Sequence, residues 1–131
     1  PSTSQRYLKL QRTYSAHDHL VSRLAARVRP GGGTAGQGPA SAPHDLLASA
    51  SWDCSVHVWD LHSQSVTAPV NTFLGHEGAV NDVIWLPGVN HTNTLASGGK
   101  DGTVRLWDVR AGGKAVSSTP SGSSPPSAQL Q

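Results

Sequence analysis

The sequence predicts an all-β chain assembled from two copies of one antiparallel unit, and three observations carry that prediction. "LASASWDCSVHVWDL" (47–61) and "LASGGKDGTVRLWDV" (95–109) coincide at seven of fifteen positions with a constant offset of 48. "RTYSAHDHLVSRLAARV" (12–28) matches "NTFLGHEGAVNDVIWLP" (71–87) at an offset of 59, pairing Thr13 with Thr72, Tyr14 with Phe73, His17 with His76 and Val21 with Val80. Both copies are rich in β-branched residues that alternate with polar or small ones, as half-buried strands require. A self-similar period of this length marks a repeat architecture.

Taken in order, the first copy opens with the strand-like stretch that follows His17. The eleven-residue difference between the two offsets requires extra chain between its first and second strands. Residues 29–45, "RPGGGTAGQGPASAPHD", supply it. Gly, Pro, Ser and Ala dominate there, and such a segment buries too little apolar surface to offset the entropy of ordering. "LASAS" then forms a strand, "WDC" a tight turn and "SVHVWDL" the next strand. In the second copy the turn is "KDG", where Asp101-Gly102 is a strong hairpin signal, whereas Asp53-Cys54 lacks the glycine and relies on the aspartate. The units run from about 12 to 70 and from 71 to 119 within a region 7–119. Residues 120–131, rich in Ser and Pro, form a disordered tail.

Composition narrows the function classes. The chain has no methionine and starts with proline, which reads as a piece of a longer polypeptide whose targeting segments would be missing. No apolar run approaches the ~20 residues needed to cross a bilayer. A single cysteine, Cys54, excludes an internal disulfide and is compatible with a reducing compartment. Residues 1–30 hold six Lys and Arg against Asp18 alone, while residues 31–131 hold four against seven acidic groups. That basic first quarter allows RNA or other nucleic-acid association through phosphates. The competing explanation is a solvated edge strand protected by its cations, and only Tyr7 and Tyr14 interleave aromatic rings there.

Gly75-His76 ahead of one strand, with Trp59-Asp60 and Trp107-Asp108 closing another, resembles the WD-repeat family of β-propellers. The first copy departs from the family pattern in its insertion and in Ala16, where glycine is usual. "AHDHLVS" followed by "SWDCSVHVW" is also similar to the propeller of BEACH-domain scaffold proteins. The resemblance implies two four-stranded blades of an incomplete ring, needing further blades in cis or in trans to close. It implies a buried hydrogen-bond chain in each blade, comprising His17, Ser49, Asp53 and Trp59, then His76, Ser97, Asp101 and Trp107. The donor and acceptor inventory of such a chain closes, from indole to hydroxyl to imidazole to carboxylate. His57 has no place in it.

The same residue types spell a Ser-His-Asp hydrolase. A nucleophilic serine needs exposure, a base and an oxyanion site. Ser49 and Ser97 instead sit inside strands, no G-x-S-x-G elbow exists, and the triplet occurs twice. Gly31, Gly33 and Gly36 match a dinucleotide fingerprint, but prolines follow where the helix must begin. Seven histidines with one cysteine lack zinc-ligand spacing, so neither metal nor cofactor is expected. Asn90-His91-Thr92 is a formal sequon expected to be unused. The resemblance therefore implies a non-catalytic, intracellular scaffold, cytoplasmic or nuclear, that binds other proteins or peptides. Its turn-bearing end would present Asp18, His19, Glu77, Trp52, Cys54 and Lys100, with Trp52 the leading contact because an exposed aromatic offers area at small entropic cost.

Overall fold

The computed structural model describes residues 9–27, 45–64, 66–88, 91–110 and the backbone of 115–120. Gly31, Gly33, Gly36, Asn90, the tail from residue 121 and all but the last residue of the 29–45 insertion lie outside these. Eight strands form two antiparallel four-stranded sheets. The first holds β1 (Val21–Arg27), β2 (Leu46–Ser51), β3 (Ser55–Asp60) and β4 (Asn71–Leu74) in sequential order; the second holds β5 (Val80–Trp85), β6 (Thr94–Gly99), β7 (Thr103–Asp108) and β8 (Ala115–Pro120). No helix among the described residues is long and apolar enough to cross a membrane.

Sequence repeat and sheet are out of step by one strand. Asn71–Leu74 begins the second repeat by sequence, yet it pairs with β3 of the first sheet, Val56 facing Phe73 and Val58 facing Asn71. The second repeat thus hands its opening strand to the first sheet. That exchange ties neighbouring sheets covalently and mechanically, since Phe73 is buried and its ring meets Trp107 of the second sheet at 5.1 Å.

The core lies between the sheets. Ala48, Ala50, Val56 and Val58 of the first pack with Val80, Val83, Leu95 and Trp107 of the second. Small residues on β2 let the sheets approach, and the β-branched ones fill the gap in few rotamers. β1 and β5 lie side by side and run in the same direction. Ser22 Oγ lies 2.6 Å from the Val80 carbonyl, Arg23 pairs with Asp82, and Trp85 Nε1–H donates to the Ala25 carbonyl at 2.9 Å. At the far end the Arg27 guanidinium covers Trp85 and reaches Thr92 and Asn93. Because the strands are aligned, the loops before β1 and β5 and the turns β2–β3 and β6–β7 gather at one end of the pair.

The first-copy departures have physical counterparts. Gly102 adopts φ 78° in its turn and Cys54 adopts φ 72° in the equivalent one, so the cysteine holds a left-handed conformation that glycine reaches without a Cβ penalty. A Cβ on Gly75 would meet Arg105 Nη1 and Trp107 Cη2, each at 3.2 Å. Where Ala16 replaces that glycine, His57 stands in place of the arginine.

Candidate functional site

Two equivalent side-chain chains occupy the turn-bearing end. In the first, Trp59 Nε1–H donates to Ser49 Oγ at 2.9 Å, Ser49 Oγ lies 2.8 Å from His17 Nε2, and His17 Nδ1 lies 2.9 Å from Asp53 Oδ2. In the second, the corresponding distances for Trp107, Ser97, His76 and Asp101 are 2.7, 2.7 and 2.9 Å. With the aspartates ionised, each imidazole donates from Nδ1 and accepts the serine proton at Nε2, so one tautomer satisfies every member. Among the described residues no buried side-chain polar atom lacks a partner.

Each aspartate does more than hold a histidine. Asp53 accepts from the backbone N–H groups of Asp18 and Ser55 and from the Ser55 hydroxyl, while Asp101 accepts from those of Glu77 and Thr103 and from the Thr103 hydroxyl. Burial pushes both carboxyls up, but these hydrogen bonds together outweigh it and hold each well below the usual carboxylate range. Ser55 and Thr103 were missed by the sequence reading, although their hydroxyls recur at the same offset of 48.

His57 lies outside the chain of hydrogen bonds yet against it. Its ring packs on His17 with centroids 4.2 Å apart, and its Nδ1 is 3.1 Å from Thr72 Oγ1. Burial, with His17 adding to it, holds the His57 imidazole below its ordinary range against the pull of Asp53 and Asp18. The second sheet has Arg105 at this position. His17, Asp53 and His57 are close enough to suggest metal ligands. However, the rings are stacked at 32°, so their in-plane lone pairs run past one another instead of converging, and both His17 nitrogens are already engaged.

These titrations predict how acid acts on the fold. A group whose folded pKa is depressed makes the unfolded chain bind more protons, so stability falls as pH falls. Loss is expected in two stages, the first beginning near pH ~6.5 from His57 and the second below about pH 4 from Asp53 and Asp101. Urea denaturation at stepped pH checks this, and His57→Gln should remove the first stage alone.

The chemistry open to this arrangement is limited. Ser49 and Ser97 are buried, and each hydroxyl oxygen accepts an indole N–H, so neither is exposed to an incoming carbonyl. Three of the six cations in the basic first quarter are engaged within the fold. Arg12 donates to the Leu61 and Ser63 carbonyls, Arg23 pairs with Asp82, and Arg27 lies over Trp85.

The exposed members of the same end are Trp52, Asp18, His19, Glu77 and Lys100. Trp52 is 47% exposed, and its backbone N–H donates to the Leu20 carbonyl at 3.0 Å. The His19 ring lies 5.8 Å from the indole. Lys100 occupies the position in the second sheet that Trp52 occupies in the first. Cys54 is half-buried in the turn between.

A family model described as "WD domain, G-beta repeat" matches residues 8–60 and 67–108. The chain is 35% identical over 104 residues, 79% of its length, to the nuclear distribution protein nudF of Aspergillus niger. It is 39% identical over 72 residues (55% of its length) to a guanine nucleotide-binding protein subunit beta of Oryza sativa subsp. japonica. To the small ribosomal subunit protein RACK1y of the same plant it is 42% identical over 66 residues, half of its length. These alignments cover 20%, 18% and 18% of the respective relatives, so the chain spans about a fifth of the length of each.

Proposed function

Because the chain belongs to the WD-repeat family, with its two repeats folded as two packed four-stranded sheets, we propose that it is a non-catalytic scaffold within a larger propeller. The observation that carries this reading is the contrast at the turn-bearing end. Both Ser-His-Asp sets there are buried or half-buried and hydrogen-bonded throughout, while Trp52 stands half exposed at the same end. The eight network residues are structural members of the two blades. Trp52, Asp18, His19, Glu77 and Lys100 form the surface that meets other proteins or peptides. Two of the relatives are named as subunits of assemblies, a G-protein beta subunit and a small ribosomal subunit protein, which agrees with a binding role.

The need for further blades rests on equivalences between the two sheets. Asn71 Nδ2 donates to the Val109 carbonyl at 3.0 Å, and Arg12 Nη1 donates to the equivalent Leu61 carbonyl at 3.1 Å. Tyr14 meets Trp59 at 5.0 Å as Phe73 meets Trp107 at 5.1 Å. Residues 12–15 thus lie on the first sheet as β4 lies on the second, in the place of a preceding blade's outer strand. On the opposite side, Ile84 and Val104 are each 51% exposed where their equivalents Ala25 and Val56 pack into or against the core. Both faces of the pair are prepared for neighbours, within the same polypeptide or from another.

Replacing Trp52 by alanine tests the surface. Expected is a loss of about 2 kcal/mol in partner binding, roughly thirty-fold, with the thermal midpoint unchanged because the ring is exposed. Calorimetric titration of partners copurifying with the protein reads it; unchanged affinity for all of them would refute the assignment.

A further inference from the structure

Position 105 separates the two sheets chemically. The first sheet has His57 at the equivalent place, buried and with Nδ1 3.1 Å from Thr72 Oγ1, and Ala16 in the loop ahead of His17. The second has the half-buried Arg105, with Gly75 in the loop ahead of His76. Both sheets build the same Trp-Ser-His-Asp chain, so the fold does not require the guanidinium.

Arg105 is nonetheless held in place. Its Nε–H donates to Thr103 Oγ1 at 3.2 Å, and that hydroxyl donates to Asp101 Oδ1 at 2.8 Å. A Cβ on Gly75 would lie 3.2 Å from both Arg105 Nη1 and Trp107 Cη2, so the guanidinium and the indole edge close on bare, exposed backbone. Among the described residues Nη1 and Nη2 donate to no acceptor, and since no buried side-chain nitrogen there lacks a partner, both reach the surface. The acidic groups of this corner leave them unmet. Asp101 accepts from the Glu77 and Thr103 N–H groups, the Thr103 hydroxyl and His76, while the exposed Glu77 forms no ion pair with Arg105. Nor does a ring cover the site. Arg105 shares with Trp107 the face of β7 that looks onto the first sheet, and further blades stack on the opposite faces, beyond Val104 and Trp59.

A cation that has given up part of its hydration without a counter-charge is destabilised until an anion meets it. Resting on the binding role proposed above, we infer that Arg105 receives an aspartate or glutamate side chain of a bound peptide, whose two carboxylate oxygens accept from Nη1 and Nη2. The acid enters over Gly75, where no side chain stands in its way. Asp101 and Glu77 offset the long-range attraction of the guanidinium, so selectivity resides in the two hydrogen bonds and not in net charge.

A random dodecapeptide display library tests this in a polypeptide that carries the whole ring, by keeping the peptides that bind the unsubstituted form and not Arg105→His, which copies the first sheet. Expected are peptides with an Asp or Glu at a fixed place. Changing that acid to its amide should weaken binding to the unsubstituted form at least ten-fold and leave binding to Arg105→His unaltered. Arg105→Lys keeps the charge but loses the fork, and should bind as weakly as Arg105→His. Should Arg105→His melt below the unsubstituted form, Arg105→Gln takes its place in the same cycle. A retained set without an acidic residue, an amide effect that persists in Arg105→His, or full binding by Arg105→Lys would overturn the carboxylate site. Peptides that fail this cycle yet lose affinity for Trp52→Ala leave the binding role standing, whereas a library from which nothing binds overturns both.

Discussion

Trp107→Ala is expected to destabilise the protein by about 3 to 5 kcal/mol, the range for removing a fully buried tryptophan. Its ring is completely buried in the inter-sheet core, lies 5.1 Å from Phe73, and carries the indole N–H that reaches Ser97 at 2.7 Å. Losing it opens a cavity between the sheets and removes the hydroxyl's donor at once. Folded domains are stable by only ~5 to 15 kcal/mol, so within the ring a large part of that margin disappears. Trp59→Ala is expected to cost less, because Trp59 lies on the outer face of the first sheet, where Tyr14 covers it. Urea midpoints of both variants, measured in a polypeptide that carries the whole ring, check the order, and Trp107→Phe there separates the lost hydrogen bond from the lost volume.

Asp101→Ala is the second large effect, expected at about 3 kcal/mol. The carboxylate receives two backbone N–H groups, one hydroxyl and the His76 imidazole, whose side chain is 1% exposed. Alanine leaves these donors facing each other without an acceptor, and an unsatisfied buried donor costs more than a made bond contributes. Asp101→Asn keeps one acceptor oxygen and should lose less than half as much. The asparagine variant should also flatten the acid limb of the stability profile below about pH 4, since its side chain no longer titrates.

How much of this is legible in the sequence depends on whether the property is local. The offsets of 48 and 59 pair the residues of the two copies, and the resemblance to WD repeats singles out the eight that lie within hydrogen-bond distance in the two sheets. They also locate the extra chain between β1 and β2. Strand exchange is less legible: "NTFL" reads as the start of a repeat, and nothing within it says that its hydrogen bonds go back to β3. Pairing partners are set by packing of the whole unit, with Phe73 drawn between the sheets by the apolar surface it covers. His57 escaped for a related reason. Its chemistry pointed outward to an active site or inward to nothing, whereas its contact with His17 arises from sheet geometry, opposite Ser49 across the β2–β3 ladder. Ser55 and Thr103 were visible as a recurring hydroxyl position and acquire meaning only once the turn brings them back onto the aspartate. The exposure of Trp52 follows from its place at the turn's tip, where β2 and β3 have no further strand to cover it.

Two sheets, each with a face prepared for a neighbour that it lacks among the described residues, belong in the proposed function to a larger ring. Sedimentation velocity of the 131-residue polypeptide over a range of concentrations, run beside its thermal unfolding, tests this most directly. The account predicts association that grows with concentration and no cooperative transition of a monomer, because Ile84, Val104 and the outer face of the first sheet seek cover. A monomer at every concentration, melting in a single cooperative transition, would contradict it.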